Sequence, residues 1–246
     1  MLAAMGSKPL EIKGVLKDTW RLYRTLFARS FLTGFLVFAV LGVFEQSPWF
    51  AALIGFVGTT LVQGALIEVV ESEHRGKRPA GFVELYLRSW DRLASLLAVS
   101  ILTGSCVGLG LLLLIVPGVL LAIRWSVATP VVMLEGLGAR AAMRRSQALV
   151  EGQRKAVFRV LLNIWVRTAL AWFAFSVLIG AFAADGSHRA LRLWIGGVLA
   201  GAFVTPYAAH ALNVVYYRLT EPDQPLIPER LPTWDSVWRE QDAAES

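Results

Sequence analysis

The chain has 246 residues, 56% hydrophobic and 17% charged, with a mean hydropathy of +0.56. Soluble domains sit near 45–50% apolar and about 25% charged, and runs of about 18 or more apolar residues indicate membrane-spanning helices, so a soluble domain is a poor reading. The net charge of +6 would suggest nucleic acid in a soluble protein, but Lys and Arg cluster here at the ends of apolar runs, where they set membrane orientation.

The polar N-terminal stretch carries charges from Lys8 to Arg29, and no A-x-A site follows the apolar run Phe31–Phe44. No cleavable signal is expected, and that run is read as a retained span. Six spans follow in chain order: Leu26–Phe44, Trp49–Val70, Leu93–Val116, Gly118–Leu134, Val157–Ala183 and Leu193–Tyr217. About 20 residues at 1.5 Å each cross the roughly 30 Å hydrocarbon core. The turns are read at Glu45–Pro48, at Pro117-Gly118 and at Ala184–Ala190. Pro lacks an N–H and Gly tolerates positive φ, so Pro-Gly is a natural break in an apolar run.

Basic residues alternate by side. The N-terminal segment holds Lys8, Lys13, Lys17, Arg21, Arg24 and Arg29; the loops after the second and fourth spans hold clusters that include Arg75, Lys77, Arg78, Arg140, Arg144 and Arg145. The first two hairpin turns hold none, and the third has Arg189 and Arg192. The positive-inside rule then puts both termini and both long loops in the cytoplasm.

Each hairpin is preceded by a basic amphipathic segment: Gly14–Phe27, Gly81–Leu93 and Ala139–Val157. The first has an apolar face of Ile12, Leu16, Trp20, Tyr23 and Phe27, with Lys13, Lys17, Arg21 and Arg24 one step round. The second puts Phe82, Leu85, Tyr86, Ser89 and Leu93 on one face, and the third Ala142, Ser146, Leu149 and Val150. The expected fold is all-α: a polytopic membrane domain over 1–220, six transmembrane helices as three hairpins, each behind a basic interfacial helix. The repeat units are about 9–70, 81–134 and 139–217. The segment 221–246 reads as a proline-rich acidic cytoplasmic tail, mostly disordered, with Trp234, Val237 and Trp238 on one helical face to anchor it or dock a protein partner.

Polar groups within the apolar runs are the site candidates: Arg124, Glu68, Arg167 and His210. Arg124 lies seven residues past Pro117, about 10 Å below the outer boundary on that reading. It either meets a substrate anion, snorkels, or pairs with a carboxylate or carbonyl. Arg167 is read as marking the inner boundary of the fifth span, since Thr168–Ala184 alone is long enough to cross. Glu68 either pairs with an arginine or reaches water beside Glu71 and Glu73. His210, one turn from Asn213, either relays protons or packs through a hydrogen bond, the second being the commoner use. Pro130 and Pro206 are expected to kink their spans. Cys106, in an apolar run, is read as a small hydrophobe. No H-E-x-x-H, G-x-S-x-G, phosphate-binding glycine loop or Cys/His cluster occurs, so no catalytic, metal or cofactor residue is named and a non-enzymatic role is expected.

The stretch PGVLLAIRWSVATPVVMLEGLGARAAMRRSQALVEGQRKAVFRVL (Pro117–Leu161) resembles the membrane domain attached to some glycerophosphodiester phosphodiesterases, and its stand-alone prokaryotic relatives of unknown function. The matching positions are Pro117, Gly118, Arg124, Pro130, Glu135, Gly136, Ala142 and Ser146. The resemblance implies a bacterial or archaeal cytoplasmic-membrane protein in a lipid or envelope setting. The phosphodiesterase active site belongs to a separate soluble barrel, absent from this sequence, so no catalytic residue carries over. The resulting expectation is a membrane module that binds anionic lipid headgroups or a partner protein through Lys13, Lys17, Arg21, Arg24, Arg144 and Arg145. The alternatives are a small transporter or channel with Arg124 in a polar cavity and, less favoured, an intramembrane lipid enzyme.

Overall fold

The computed structural model describes residues 10–42, 48–75, 81–182 and 188–222, together with 224 and 226. The elements are α1 (Ile12–Thr25), α2 (Phe27–Gly42), α3 (Pro48–His74), α4 (Phe82–Asp91), α5 (Leu93–Leu113), α6 (Ile115–Arg124), α7 (Ala128–Glu135), α8 (Ala139–Val150), α9 (Arg154–Phe182) and α10 (Arg189–Thr220). No strand occurs among the described residues. Helix is what the sequence permits in lipid, since an isolated helix pairs its own backbone groups.

Four segments among the described residues are long and apolar enough to cross a membrane: α5, α6–α7 taken together (Ile115–Glu135), α9, and Leu191–Thr220 of α10. A fifth arises if α1 and α2, bent by 73° at Leu26, count as one. The expected first span corresponds to α2, of which the 16 residues Phe27–Gly42 are described. Short amphipathic helices precede packed apolar pairs in chain order: α1 before α2 and α3, α4 before α5 and α6–α7, α8 before α9 and α10.

The centre is α10, which touches α1, α2, α3, α7, α8 and α9. Small residues let the neighbours in. A Cβ on Gly34 of α2 would sit 3.4 Å from the Cα of Ala202, and one on Gly201 would meet the Phe38 ring at 3.0 Å. Ala200, Ala202, Ala211, Val214 and Val215 are buried on α10.

Several expectations need correction. The third reversal is not at Pro117-Gly118. It falls at Leu114, which is extended (φ −159°, ψ 134°), and Pro117 is the third residue of α6. A proline is tolerated in a first helical turn, where its N–H would have no intrahelical acceptor. Gly118 serves the α5–α6 contact: a Cβ there would lie 2.5 Å from the Leu111 nitrogen. The tip is apolar and open, with Leu112, Leu113, Leu114, Ile115 and Val116 all exposed. Arg124 is then ten residues beyond the bend, about 15 Å along the helix rather than 10.

Pro130 goes with an interruption of its span, as expected: the helix gives way to a turn at Trp125–Val127, around Ser126, whose carbonyl, four residues before the proline, receives no N–H from it. Pro206 does lie inside one helix, α10. The face that α1 turns to the core is Val15, Thr19 and Leu22; Trp20 is 54% exposed. Of the stripe Ile12–Leu16–Trp20–Tyr23–Phe27 only Trp20 is exposed; Ile12 packs against the core, and Tyr23 and Phe27 pack on α10. On α4 and α8 the expected faces are the buried ones, through Leu85 and Ser89, and through Ala142, Ser146 and Val150. The expected turns at 45–47 and 184–187 lie outside the described residues, as do Trp234, Val237 and Trp238.

Candidate functional site

Of the residues quoted for the family resemblance, Arg124, Pro130, Glu135, Gly136, Ala142 and Ser146 lie at one joint between α6, α7 and α8, while Pro117 and Gly118 lie at the α5–α6 contact. Breaking a helix at Trp125–Val127 frees backbone groups that must find partners. Ser146 of α8, fully buried, supplies them: its hydroxyl donates to the Arg124 carbonyl at 2.9 Å and accepts from the Val127 N–H at 3.3 Å. At the other end of α7, Gly136 takes a left-handed conformation (φ 69°) and stops the helix. A Cβ there would also lie 2.7 Å from a guanidinium nitrogen of Arg92, whose Nη1 donates to the Val132 carbonyl at 2.9 Å. Glu135 accepts from Arg145 Nε at 3.1 and 3.2 Å and from the Tyr216 hydroxyl at 3.1 Å. Pro117, Gly118, Pro130, Glu135, Gly136 and Ser146 thus hold backbone and packing.

A band of carboxylates closes the same end of the bundle. Glu71 takes the Tyr217 hydroxyl and pairs with Arg75. Asp18 of α1 pairs with Arg218 at the end of α10. Arg29 pairs with Glu73 at 3.2 Å, and Arg88 contacts Glu68 at 3.6 Å and Glu84 at 2.6 Å. His74 binds the first residues of the tail: Nδ1 lies 2.9 Å from the Leu226 carbonyl and Nε2 3.1 Å from the Glu221 carboxylate. Sequence reading passed over Tyr216, Tyr217, Asp18 and Arg92. The signal available was the pair of tyrosines and an arginine at the end of an apolar run, the composition of a membrane-interface belt.

The four in-membrane candidates take four separate neighbourhoods, and no hydrogen bond or ion pair among the described residues joins any two of them. Glu68 is with Arg88. Arg124 ends α6 beside α8. Arg167 is exposed on α9, in the wall of an aromatic groove. His210 is fully buried, its Nε2 2.8 Å from the Ser30 hydroxyl. Its Nδ1 and both polar atoms of the Asn213 amide, also fully buried, have no partner among the described residues. Such groups in a core normally meet an ordered water or an ion. Among the described residues no three His, Cys, Asp or Glu side chains gather into a metal-holding group.

The remaining cationic surface is on α1, on α8 and at the start of α9. Lys13, Lys17, Arg21 and Arg24 are all exposed, and none has an acidic partner among the described residues. Arg144 is exposed on α8, whereas its neighbour Arg145 is held by Glu135. At the start of α9 an open cleft of about 740 Å³ is lined by Arg154, Lys155 and Arg159 and closed on one side by Leu10, whose N–H donates to Gln153.

The chain is 38% identical over 97 residues to the UPF0259 membrane protein of Sodalis glossinidius (strain morsitans). That match covers 39% of this chain and spans 38% of the relative's length. No protein-family model matches the chain, and no solved structure does. With the apolar helices above, the likeness supports an all-helical, multi-pass membrane protein similar to a member of an uncharacterised prokaryotic group.

Proposed function

We propose that this protein is a non-enzymatic module of a prokaryotic cytoplasmic membrane that gathers anionic lipid headgroups on its cytoplasmic basic helices. The finer topology belongs to the same proposal: six spans as three repeated hairpins over 1–220, both termini and the tail 221–246 inside. The link to the membrane domain of glycerophosphodiester phosphodiesterases, and with it a lipid setting, stays part of this reading. A protein partner could share the basic surface or the tail, whose first residues rest against His74.

One observation carries the reading. The α1 helix lies at a 73° elbow to α2, and its four cations are exposed and without acidic partners among the described residues, while Arg29, Arg75, Arg88, Arg145 and Arg218 are consumed by carboxylates. A basic amphipathic helix with Trp20 beside its charges suits an interface rich in anionic headgroups. Each cation near such a surface contributes about 1 kcal/mol. The test is to equilibrate purified protein with mixed phosphatidylglycerol and phosphatidylcholine and quantify the lipid that co-purifies. Replacing Lys13, Lys17, Arg21 and Arg24 with glutamine should abolish most of the phosphatidylglycerol enrichment at low salt, with a smaller difference at high salt. Equal enrichment in both proteins would end the proposal.

A transporter or channel draws support from the unpartnered buried atoms of His210 and Asn213 rather than from Arg124. An Arg124→Leu variant that folds and moves the same solutes would remove the role once expected of Arg124.

A further inference from the structure

Between the α1–α2 elbow, α9 and α10 runs an open groove of about 430 Å³. Its floor is a set of touching rings. Phe203 lies 5.5 Å from Phe27 and 5.9 Å from Phe175, and the Tyr23 and Tyr207 rings are 6.0 Å apart, edge to face. The Tyr23 hydroxyl is not available to a ligand, since it donates to the Phe203 carbonyl at 3.0 Å.

The groove has a direction. Along α9 the wall runs Arg167, Thr168, Ala171, Phe175, so it changes from charged to apolar over about 12 Å. α10 runs antiparallel beside it and repeats the gradient in reverse, from Phe203 to Tyr207. Trp20, half exposed, stands at the polar mouth, where indoles favour headgroup depth. Arg167 is exposed and makes no hydrogen bond or ion pair with any described residue.

An unpaired guanidinium at one end of an apolar slot calls for an occupant that is anionic at one end and hydrocarbon at the other. A second protein helix laid over the groove would have to bring its own counter-charge to cover Arg167. We infer that this groove holds one phospholipid, its acyl chain along Phe27, Phe175 and Phe203 and its phosphate on Arg167. A guanidinium meets a phosphate through two parallel N–H···O bonds, and the aromatic floor supplies contact area to the chain. The inference rests on the chain being embedded in lipid, as proposed above, but not on the α1 cations gathering headgroups.

The test extracts the full chain from its membrane in mild detergent and counts retained phospholipid by native mass spectrometry. The wild type should retain one per chain. Ala171→Trp, which fills the slot, should lose it; Leu178→Trp, on the exposed side of α9, should keep it. Arg167→Gln should cut retention roughly tenfold, the worth of a charge-assisted bond pair. Where the tryptophan variant does not fold, Ala171→Leu occupies the same space with less strain. Retention equal in Ala171→Trp and wild type would overturn the inference, as would equal loss in Leu178→Trp, which would mark the lipid as part of the general boundary layer. A retained fatty acid or detergent in place of phospholipid, insensitive to Arg167→Gln, would also overturn it. The quadruple glutamine variant of α1 should keep this lipid while losing phosphatidylglycerol enrichment. Loss of the retained lipid in that variant alone would overturn the groove and leave the surface reading standing.

Discussion

α9 and α10 are neighbours of similar length, 29 and 32 residues, and both contain spans of similar hydropathy, 1.6 and 1.4. Their surroundings are opposite. In the spanning window 67% of α10 is buried and only 6% of α9. Hydropathy therefore says that a helix leaves water and nothing about whether lipid or protein receives it. Side-chain size and polarity do distinguish the two. α9 exposes Trp165, Leu170, Trp172, Phe173, Val177 and Leu178, large side chains that lipid tails accommodate anywhere. α10 offers small residues where α2 approaches, and buries His210 and Asn213. In lipid no hydrophobic force draws helices together, so close backbone approach and polar pairs do that work.

Four substitutions bear on this contrast. The largest effect is expected from Ala211→Asp, a charge placed in the fully buried face of α10 with no partner. A cost of roughly 3–5 kcal/mol should abolish a monodisperse peak on size-exclusion chromatography in detergent. A well-behaved variant would mean that α10 is not the centre. Next comes Ser146→Ala, which strands the Arg124 carbonyl and the Val127 N–H. It should lower stability by about 1–3 kcal/mol, read as a fall in thermal midpoint. Ser176→Ala gives the matching measurement on α9, where an exposed hydroxyl merely returns to the Trp172 carbonyl at 2.8 Å; no shift is expected. Equal effects at the two serines would show that burial is not what separates them. An effect within about 0.5 kcal/mol is expected from Leu178→Ala, because the side chain is 65% exposed and its loss creates no cavity. A loss of several kcal/mol would reveal a protein contact on that face of α9.

Much of the fold was legible. The apolar runs place the long helices to within a few residues, and the buried faces of α4 and α8 follow from residue spacing alone. The motif Pro117 to Ser146 was legible as a unit but not in its role. Pro-Gly looked like a turn because both residues break helices in general. Whether they did so here depended on how tightly α5 and α6 approach, which is a property of two helices. The groove was only half visible. Trp20, Tyr23 and Phe27 showed as a stripe on the first amphipathic segment, yet Phe175, Phe203 and Tyr207, which complete it, lie roughly 150–180 positions along the chain. Arg167 showed as a residue at a boundary, with nothing local to distinguish a snorkelling side chain from one that closes a slot.

By itself the sequence determined that the chain enters lipid, that its elements are helices, and which segments carry the positive charge. These follow from local quantities: the transfer of apolar side chains from water, and the backbone's need to pair with itself where water is absent. Only the tertiary structure decided which apolar helix is central, where the third reversal falls, which cations are consumed by carboxylates, and that an arginine stands at the head of an aromatic groove. Those depend on which surfaces meet. Two apolar helices look alike until the small residues of one admit the other, and a charge is spent or left over only once its neighbours are known.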